Sequence, residues 1–469
     1  MSDDTLTAPT GRLSFDPQLI RKYDGLGPRY TSYPTADRFT ETFTAEHLAN
    51  ALLGRFAERA AQPLSLYVHV PFCNTICYYC ACNKVVTKNH RRSAKYIDYV
   101  GKEVGMLSAM VSAASPVKQL HWGGGTPTFL SQQEMTLLMR ILRDNFAFAD
   151  DAECSIEIDP RKVTDATVAL LAELGFNRMS LGVQDFDANV QQAVNRVQSE
   201  VETRAVIDAA RASGFRSLNV DLIYGLPRQT VAGFAVTLEK VIAAAPDRIA
   251  LYSYAHVPHL FKPQRQIRDA ELPSADQKLA ILALAIDKLT ANGYVYIGMD
   301  HFAKRGDELT LAQVAGKLHR NFQGYSTHAD CDLLAFGISA IGKIGPTYCQ
   351  NVRTLDAYYD RLDANALPCF RGWKLSADDR LRRDVIQGLM CQFTVAYSAI
   401  ESEHDISFAA YFGEEIADLE ALAKDGLVEI APERITVTSK GRLLVRAVAM
   451  VFDRYLRAKQ VPARYSRVI

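Results

Sequence analysis

Four of the chain's nine cysteines fall within ten residues of one stretch, SLYVHVPFCNTICYYCACNK, residues 65–84. Cys73, Cys77 and Cys80 are spaced C-x3-C-x2-C, and Cys82 follows after one more residue. Thiolates are the usual ligands of iron–sulfur clusters, and a short loop can fold three of them around one cube. Three protein ligands leave one iron without a side chain, and an open position of that kind is where a substrate or cofactor binds. A zinc site using all four thiols is the alternative, although zinc loops favour paired ligands from separated segments. A disulfide framework fits less well, because cysteine is sparse elsewhere and nothing in the sequence marks export.

The loop needs a rigid base. Leu66–Val70 is apolar or aromatic apart from His69 and reads as a buried strand that Pro71 ends, so the cysteines leave the strand's carboxyl end. Strand-like runs recur near Tyr67, Leu120, Ile156, Leu181, Val220 and Leu251, with amphipathic segments between them. Ser131-Gln132-Gln133-Glu134 reads as a capping box, and Gly175 and Gly214 sit where helices should stop. Six strand–helix repeats predict an α/β fold built on a parallel sheet, an incomplete (β/α)6-type barrel, with an open doubly wound sheet as the alternative. Polar residues gather at the strands' carboxyl ends: Gly123–Thr126, Glu157, Asp159, Gln184, Asp221 and Tyr252–Tyr254. Active sites of parallel β/α proteins are built at that edge.

The expected organisation is an N-terminal extension over 1–60, the barrel over 61–300, a connecting segment over 301–374 and a mainly helical C-terminal domain over 375–469. The tyrosine-containing stretch GPRYTSYPTADR, residues 27–38, is rich in turn formers and reads either as a cover across the barrel or as a surface arm. Residues 321–345 read as glycine-rich and mostly irregular. The last domain has the helix, hairpin, helix order of a winged helix but lacks a basic recognition face. Charge is balanced at 53 basic and 53 acidic residues, which argues against nucleic acid or a membrane surface as partner. The N-terminal MSDDTLTAPTGRL has no signal-peptide pattern, so the expected compartment is the cytoplasm.

C-x3-C-x2-C on a loop after the first strand resembles the signature of the radical S-adenosylmethionine (SAM) family. The run HWGGGTP, residues 121–127, is similar to the family's glycine-rich element, which cradles the cofactor's amino and carboxylate end. RYTSYPTADRF, HWGGGTPTFL, SIEIDP, LGVQDF, NVDLIYGLP, NFQGYSTHAD and the final SRVI narrow the resemblance to the branch that acts on coproporphyrinogen III without oxygen.

That resemblance implies a [4Fe–4S] cluster on Cys73, Cys77 and Cys80. It implies one SAM at Tyr67, Gly124, Glu157 and Ile341. A second SAM would meet Tyr79, Gly125, Thr126, Gln184, Arg196, Asp221 and Ala255. The reduced cluster would split SAM to a 5'-deoxyadenosyl radical, and two propionates of the substrate would become vinyl groups. Cys82 and His69 are candidate catalytic groups, with packing roles as their alternatives. Arg29, Arg38, Lys84 and Arg91 are candidate partners for the substrate carboxylates. The resemblance also implies a monomer served by a separate, unidentified electron donor and acceptor. Two other function classes stay open at this point: a haem-binding chaperone with the same cluster motif, and a zinc protein.

Overall fold

The computed structural model describes residues 13–458 together with Tyr465 and Arg467. Most of the MSDDTLTAPTGRL stretch, and Ser466, Val468 and Ile469 of the SRVI motif, lie outside the described residues. The chain forms two compact units: one takes residues 39–278 and 330–374, and the other the residues up to Arg38, Leu279–Ala329 and the chain from Leu375 onward. The units are thus assembled from separated stretches rather than consecutive blocks.

In the larger unit, whose elements are numbered here, six strands run in chain order: β1 (Leu64–Val70), β2 (Val117–Gly124), β3 (Phe148–Ile158), β4 (Arg178–Gln184), β5 (Ser217–Tyr224) and β6 (Arg248–Ser253). Each is parallel to the next, and no step reverses the order. A doubly wound sheet needs such a reversal, so the barrel-type winding is the one this sequence adopts. On the far side of β1 a seventh parallel strand, β7 (Asp332–Phe336), is followed by antiparallel β8 (Ile341–Ile344), β9 (Thr347–Asn351) and β10 (Cys369–Lys374). Residues 321–345 are therefore less irregular than expected, because the run DLLAF is apolar enough to be buried along its whole length as β7.

Alternate strand residues point to opposite faces. One face carries Leu66, Val68, Leu120, Trp122, Ile156 and Leu181, all buried in one apolar core. Helix α1 (Ala45–Glu58) precedes β1, helices α2 (Arg91–Ser108), α3 (Gln132–Asn145), α4 (Asp165–Glu173), α5 (Ala188–Ala193), α6 (Glu200–Ala212) and α7 (Val231–Ala244) connect the strands, and Val104, Leu138, Leu171 and Ile207 bring helical side chains into that core. Ser131 caps α3 as expected, its hydroxyl accepting from the Glu134 N–H at 3.2 Å while Glu134 accepts from the Ser131 N–H at 2.7 Å.

The other face is polar, and its side chains pair across strands. The Ser65 hydroxyl donates to Gln119 at 3.0 Å, Gln119 donates to Glu153 at 3.0 Å, and Arg178 meets Glu153 at 3.0 Å. This ladder closes the amino-terminal end of the polar face and leaves the carboxyl end for chemistry.

A second buried network ties α2 to the sheet. The carboxylate of Glu103 accepts from the Gly337 N–H at 2.8 Å, Asn351 at 2.6 Å and the Tyr358 hydroxyl at 2.6 Å. Two helical turns earlier, the Tyr96 hydroxyl donates to the His69 carbonyl at 2.7 Å and accepts from the Ile338 N–H at 3.1 Å. Together they join the carboxyl ends of β1 and β7.

In the smaller unit, Tyr30 and Tyr33 are each only 1% exposed, and the Tyr30 hydroxyl donates to Asp453 at 3.1 Å. The tyrosine-containing stretch is thus integral to that unit rather than a surface arm. Tyr294–Gly298 and His301–Lys304 form an antiparallel pair, and the helix Gly413–Lys424 precedes the hairpin Val428–Ala431/Arg434–Val437. Among the described residues no helix is long and apolar enough to cross a membrane.

Burial raises the Glu103 carboxyl to about 7 against its three hydrogen bonds, from an ordinary 4.5. The folded chain therefore binds this proton where the unfolded chain has released it. Its contribution is complete below pH 4.5 and is lost as pH rises through 7, a swing of roughly 3 kcal/mol. The stability of the wild type relative to Glu103→Gln should fall between pH 4.5 and 7.5 in thermal unfolding; a constant difference would contradict this.

Candidate active site

Pro71 ends β1, and Phe72–Cys73 pairs in parallel with Val85–Val86, so the cysteine loop leaves and returns at one place. The next turn of the sheet locks it there. The Gly125 N–H donates to the Val70 carbonyl at 2.8 Å, and the Thr126 N–H to the Phe72 carbonyl at 2.9 Å. A Cβ on Gly125 would lie 2.7 Å from the Pro71 backbone, and one on Gly124, at φ +115°, would lie 2.6 Å from the His69 ring. Only glycine allows this approach.

A cavity of about 560 Å³ opens beside the loop. Its lining includes Cys73, Cys77, Cys80 and Cys82 from the loop, Gly124, Gly125 and Thr126 after β2, and Glu157 on β3. Gln184 at the end of β4, Arg196, Asp221 on β5 and Tyr79 also line it, as do Asp159 and Tyr252, expected at strand ends. Four strands that are far apart in sequence thus deliver side chains to one space.

The thiols differ in their surroundings. Cys73 lies 3.6 Å from the Thr126 hydroxyl, and burial raises its thiol to about 11. Arg196 Nη1 approaches Cys77 Sγ at 3.6 Å and Arg161 Nη2 approaches it at 4.0 Å. A hydrogen bond from Cys82, aided by Lys84, brings Cys80 down to about 6, and the same bond pushes Cys82 up. Lys84 Nζ also donates to the carbonyls of Cys80 at 3.2 Å and Cys82 at 3.3 Å, bracing the loop's end.

The carboxylates are set apart in charge. Glu157 accepts from the Gly124 N–H at 3.2 Å and pairs with His121 at 3.3 Å. Burial presses its carboxyl upward, but His121 and the Gly124 N–H outweigh burial and hold it below the ordinary range. Asp221 accepts from Asn219 at 2.8 Å and Ser180 at 3.1 Å. Burial, followed by the charge of Glu157, raises it to about 7.

Four residues expected at the cofactors or in catalysis, Tyr67, His69, Ala255 and Ile341, do not line the cavity. Tyr67 stacks on His121 at a centroid distance of 5.9 Å, and its hydroxyl is 3.1 Å from His69 Nδ1. His69 Nε2 lies 2.9 Å from the Asn83 carbonyl, so the buried ring donates from Nε2 and accepts at Nδ1. Burial lowers its pKa. The Ala255 carbonyl shares Gln264 Nε2 with the Tyr79 carbonyl, at 3.2 and 3.1 Å, which ties the chain after β6 to the cysteine loop. Ile341 opens β8, opposite Gln350.

Arg161, Lys162, Ser180 and Gly182 line the cavity without having been singled out from the sequence. Their one signal was position, just past or within strands whose ends were already suspect. Of the cations proposed for the substrate carboxylates, only Lys84 lines this space. Arg29 pairs with Asp300, Arg38 lies beside Asp37 at 3.5 Å, and Arg91 opens α2 on the surface.

The donors fit an iron–sulfur cluster with an amino-acid nucleoside beside it. The thiols of Cys73, Cys77, Cys80 and Cys82 share one cavity with Gly124, Gly125 and the carboxylates of Glu157 and Asp221, and the buried Nε of Arg196 has no partner. Among the described residues no three His, Cys, Asp or Glu side chains close on a single ion-sized point. A cube, with its irons at separate corners, asks the thiols to stay apart.

This fold and this thiol-lined cavity define a radical SAM enzyme. Residues 67–241 match the model of the radical SAM superfamily, and residues 375–444 that of the HemN C-terminal domain. The chain is 50% identical over 458 residues to the oxygen-independent coproporphyrinogen III oxidase of Escherichia coli (strain K12), covering 98% of this chain and 99% of that one. It is 51% identical over 459 residues to the enzyme of the same name from Pseudomonas aeruginosa, covering 97% and 99%. The solved structure of coproporphyrinogen III oxidase (HemN) from Escherichia coli, a radical SAM enzyme, superposes with a TM-score of 0.91 at 48% identity, over 95% of this chain and 100% of that one. The chain belongs to the oxygen-independent coproporphyrinogen III oxidase family. Membership in the radical SAM superfamily carries a [4Fe–4S] cluster and SAM as cofactors.

After anaerobic reconstitution with iron and sulfide, Cys77→Ala should hold almost no cluster iron while remaining folded. Cys82→Ser should keep the wild-type iron and sulfide content; its loss there would contradict a three-thiolate site.

Proposed function

We propose that this chain converts coproporphyrinogen III to protoporphyrinogen IX by oxygen-independent oxidative decarboxylation, a step of porphyrin synthesis leading to haem. The observation that carries the reading is the meeting of Cys73, Cys77 and Cys80 with Glu157, Gln184, Arg196 and Asp221 in one cavity, in a chain matched end to end by oxidases. That full-length match favours the oxidase over a haem-binding chaperone.

Cys73, Cys77 and Cys80 would hold the cluster and leave one iron for SAM. When bound, the two groups supply a one-electron cleavage that yields a hydrogen-atom abstractor strong enough for an unactivated C–H bond. The reaction then balances simply: each reacting propionate gives up one hydrogen atom from its β-carbon, one CO2 and one electron, and becomes a vinyl group.

The residues divide the binding work. The backbone of Gly124 and Gly125 carries no side chain into the space, so a SAM methionyl end can lie against it. Glu157, held ionised, suits an ammonium, and Asp221 suits ribose hydroxyls whether or not it carries its proton. Arg196 can grip a carboxylate with paired donors. Tyr67 and Ile341 would contact the first SAM, and Tyr79, Thr126, Gln184 and Ala255 the second. Lys84, Arg161 and Lys162 supply positive charge for a substrate with four carboxylates. Cys82 is our candidate for proton or hydrogen transfer near the substrate, and His69, tethered to the loop through Asn83, positions Tyr67 and the loop's far end. The same reading has the chain acting as a cytoplasmic monomer with a separate electron donor and acceptor, without nucleic acid or membrane.

The test is anaerobic incubation of the reconstituted protein with SAM, a reductant and coproporphyrinogen III, with porphyrins analysed after oxidation. Protoporphyrin should accumulate together with CO2 and 5'-deoxyadenosine. Tight haem binding with no protoporphyrin would favour the chaperone instead.

A further inference from the structure

Gln184 reaches the cavity from an uncommon backbone. Its φ is +69°, and the N–H of Asp185 donates to the carbonyl of Val183 at 2.9 Å, two residues back. This is a γ-turn of the positive-φ kind, which is rare and strained for a residue with a side chain. Such a conformation persists only where its surroundings over-determine it.

The surroundings do so through Asp185, which is 2% exposed. One carboxylate oxygen accepts from the Thr237 hydroxyl at 2.5 Å and the Asp187 N–H at 2.8 Å. The other accepts from Gln229 Nε2 at 2.7 Å. The Asp185 carbonyl accepts from Gln191 Nε2 at 2.9 Å.

Each partner holds a further piece of the site. Gln229 also accepts from the N–H groups of Gly225 at 2.6 Å and Leu226 at 3.0 Å, fixing the turn after β5, the strand of Asp221. Gln191 donates to the Gln198 carbonyl at 2.7 Å and accepts from its N–H at 3.0 Å, and the Gln191 carbonyl accepts from the Arg196 N–H at 2.8 Å. One buried polar cage therefore grips the turn that carries Gln184 and the loop that carries Arg196. Between those two side chains lies Gly182, where a Cβ would stand 3.0 Å from both Gln184 Nε2 and Arg196 Nη2. Asp185, Gln191, Gln229 and Thr237 do not line the cavity; Gln184, Gly182 and Arg196 do.

We infer that Asp185 is the positioning residue for the second SAM, holding the strained turn that aims the Gln184 amide and, through Gln191, the loop that aims Arg196. This deepens the reading that the cavity takes two SAM molecules and rests on it. A packing role alone would lower overall stability without choosing between the two cofactor positions.

The measurement is anaerobic equilibrium dialysis of the reconstituted holoprotein against labelled SAM, for wild type, Asp185→Asn, Thr237→Val, Gln184→Ala and the pair Asp185→Asn/Gln184→Ala. Wild type should bind two molecules. Asp185→Asn should weaken one site by about tenfold and leave the other nearly unchanged, since a donor now faces donors. Thr237→Val removes the donor to Asp185 and the acceptor of the Phe186 N–H, 3.1 Å away, without changing charge; it remains informative if Asp185→Asn fails to fold, and should weaken the same site by about threefold. In the Gln184→Ala background Asp185→Asn should add less than its full tenfold, because only the Arg196 arm then remains to be lost. Undiminished binding in both Asp185→Asn and Thr237→Val, equal weakening of both sites, or full additivity with Gln184→Ala overturns the inference while leaving the two-cofactor reading standing. A wild type that binds only one molecule overturns that reading and the inference with it.

Discussion

Parallel strands that wind in one direction put their helices on one face and leave the other to find its own partners. In the larger unit that division is sharp. Leu66, Val68, Trp122, Ile156 and Leu181 belong to the helix-covered core, while Ser65, Gln119, Glu153 and Arg178 pair with one another across the opposite face. Buried polar groups must be paired, and this ladder satisfies them at the amino-terminal end. Towards the carboxyl end the same face continues with Tyr67, His121, Glu157, Ser180 and Asp221, and some of that polarity is turned towards a cavity rather than towards neighbours. The site is the unclosed end of the ladder.

The cysteine loop is attached to that end first by backbone contact, with side chains bracing its return. Val70 and Phe72 accept from Gly125 and Thr126, and the glycines bring the two segments closer than any Cβ would permit. Lys84, Asn83 and the parallel pairing of Phe72–Cys73 with Val85–Val86 hold the loop's return. A three-thiolate site depends on such stiffness, because a floppy loop would let the fourth thiol, Cys82, reach the remaining iron. Tyr96, donating to the carbonyl of His69 from α2, extends the bracing into the core.

Much of this was legible in the sequence, for identifiable reasons. Six strands, the Ser131 cap and the helix-ending glycines at 175 and 214 follow from local period and turn chemistry, and each acts within a few residues. The cysteine spacing and the glycine run are likewise local. What local pattern does not carry is the pairing of distant segments. β7 lies beside β1 although 268 residues separate the paired positions, from Leu64 to Asp332, and DLLAF alone gives no sign of its partner. Turn formers around Tyr30 and Tyr33 leave a cover across the barrel and a surface arm equally open, because their burial comes from residues more than 400 positions away, such as Asp453. Arg161 and Lys162 escaped notice because cations after a strand are usually solvated. The strain at Gln184 was invisible, since a glutamine gives no hint of a positive φ, and only the buried carboxylate next to it shows why the turn holds.

The proposed chemistry requires one iron of the cluster to be free of protein. Pulsed electron–nuclear double resonance on the reduced protein, with SAM labelled with 15N at its amino group and 17O at its carboxylate, reads this directly. We predict hyperfine coupling from both labels to the cluster, present in wild type and in Cys82→Ser. A spectrum indifferent to SAM, together with coupling from a fourth cysteine, would contradict it.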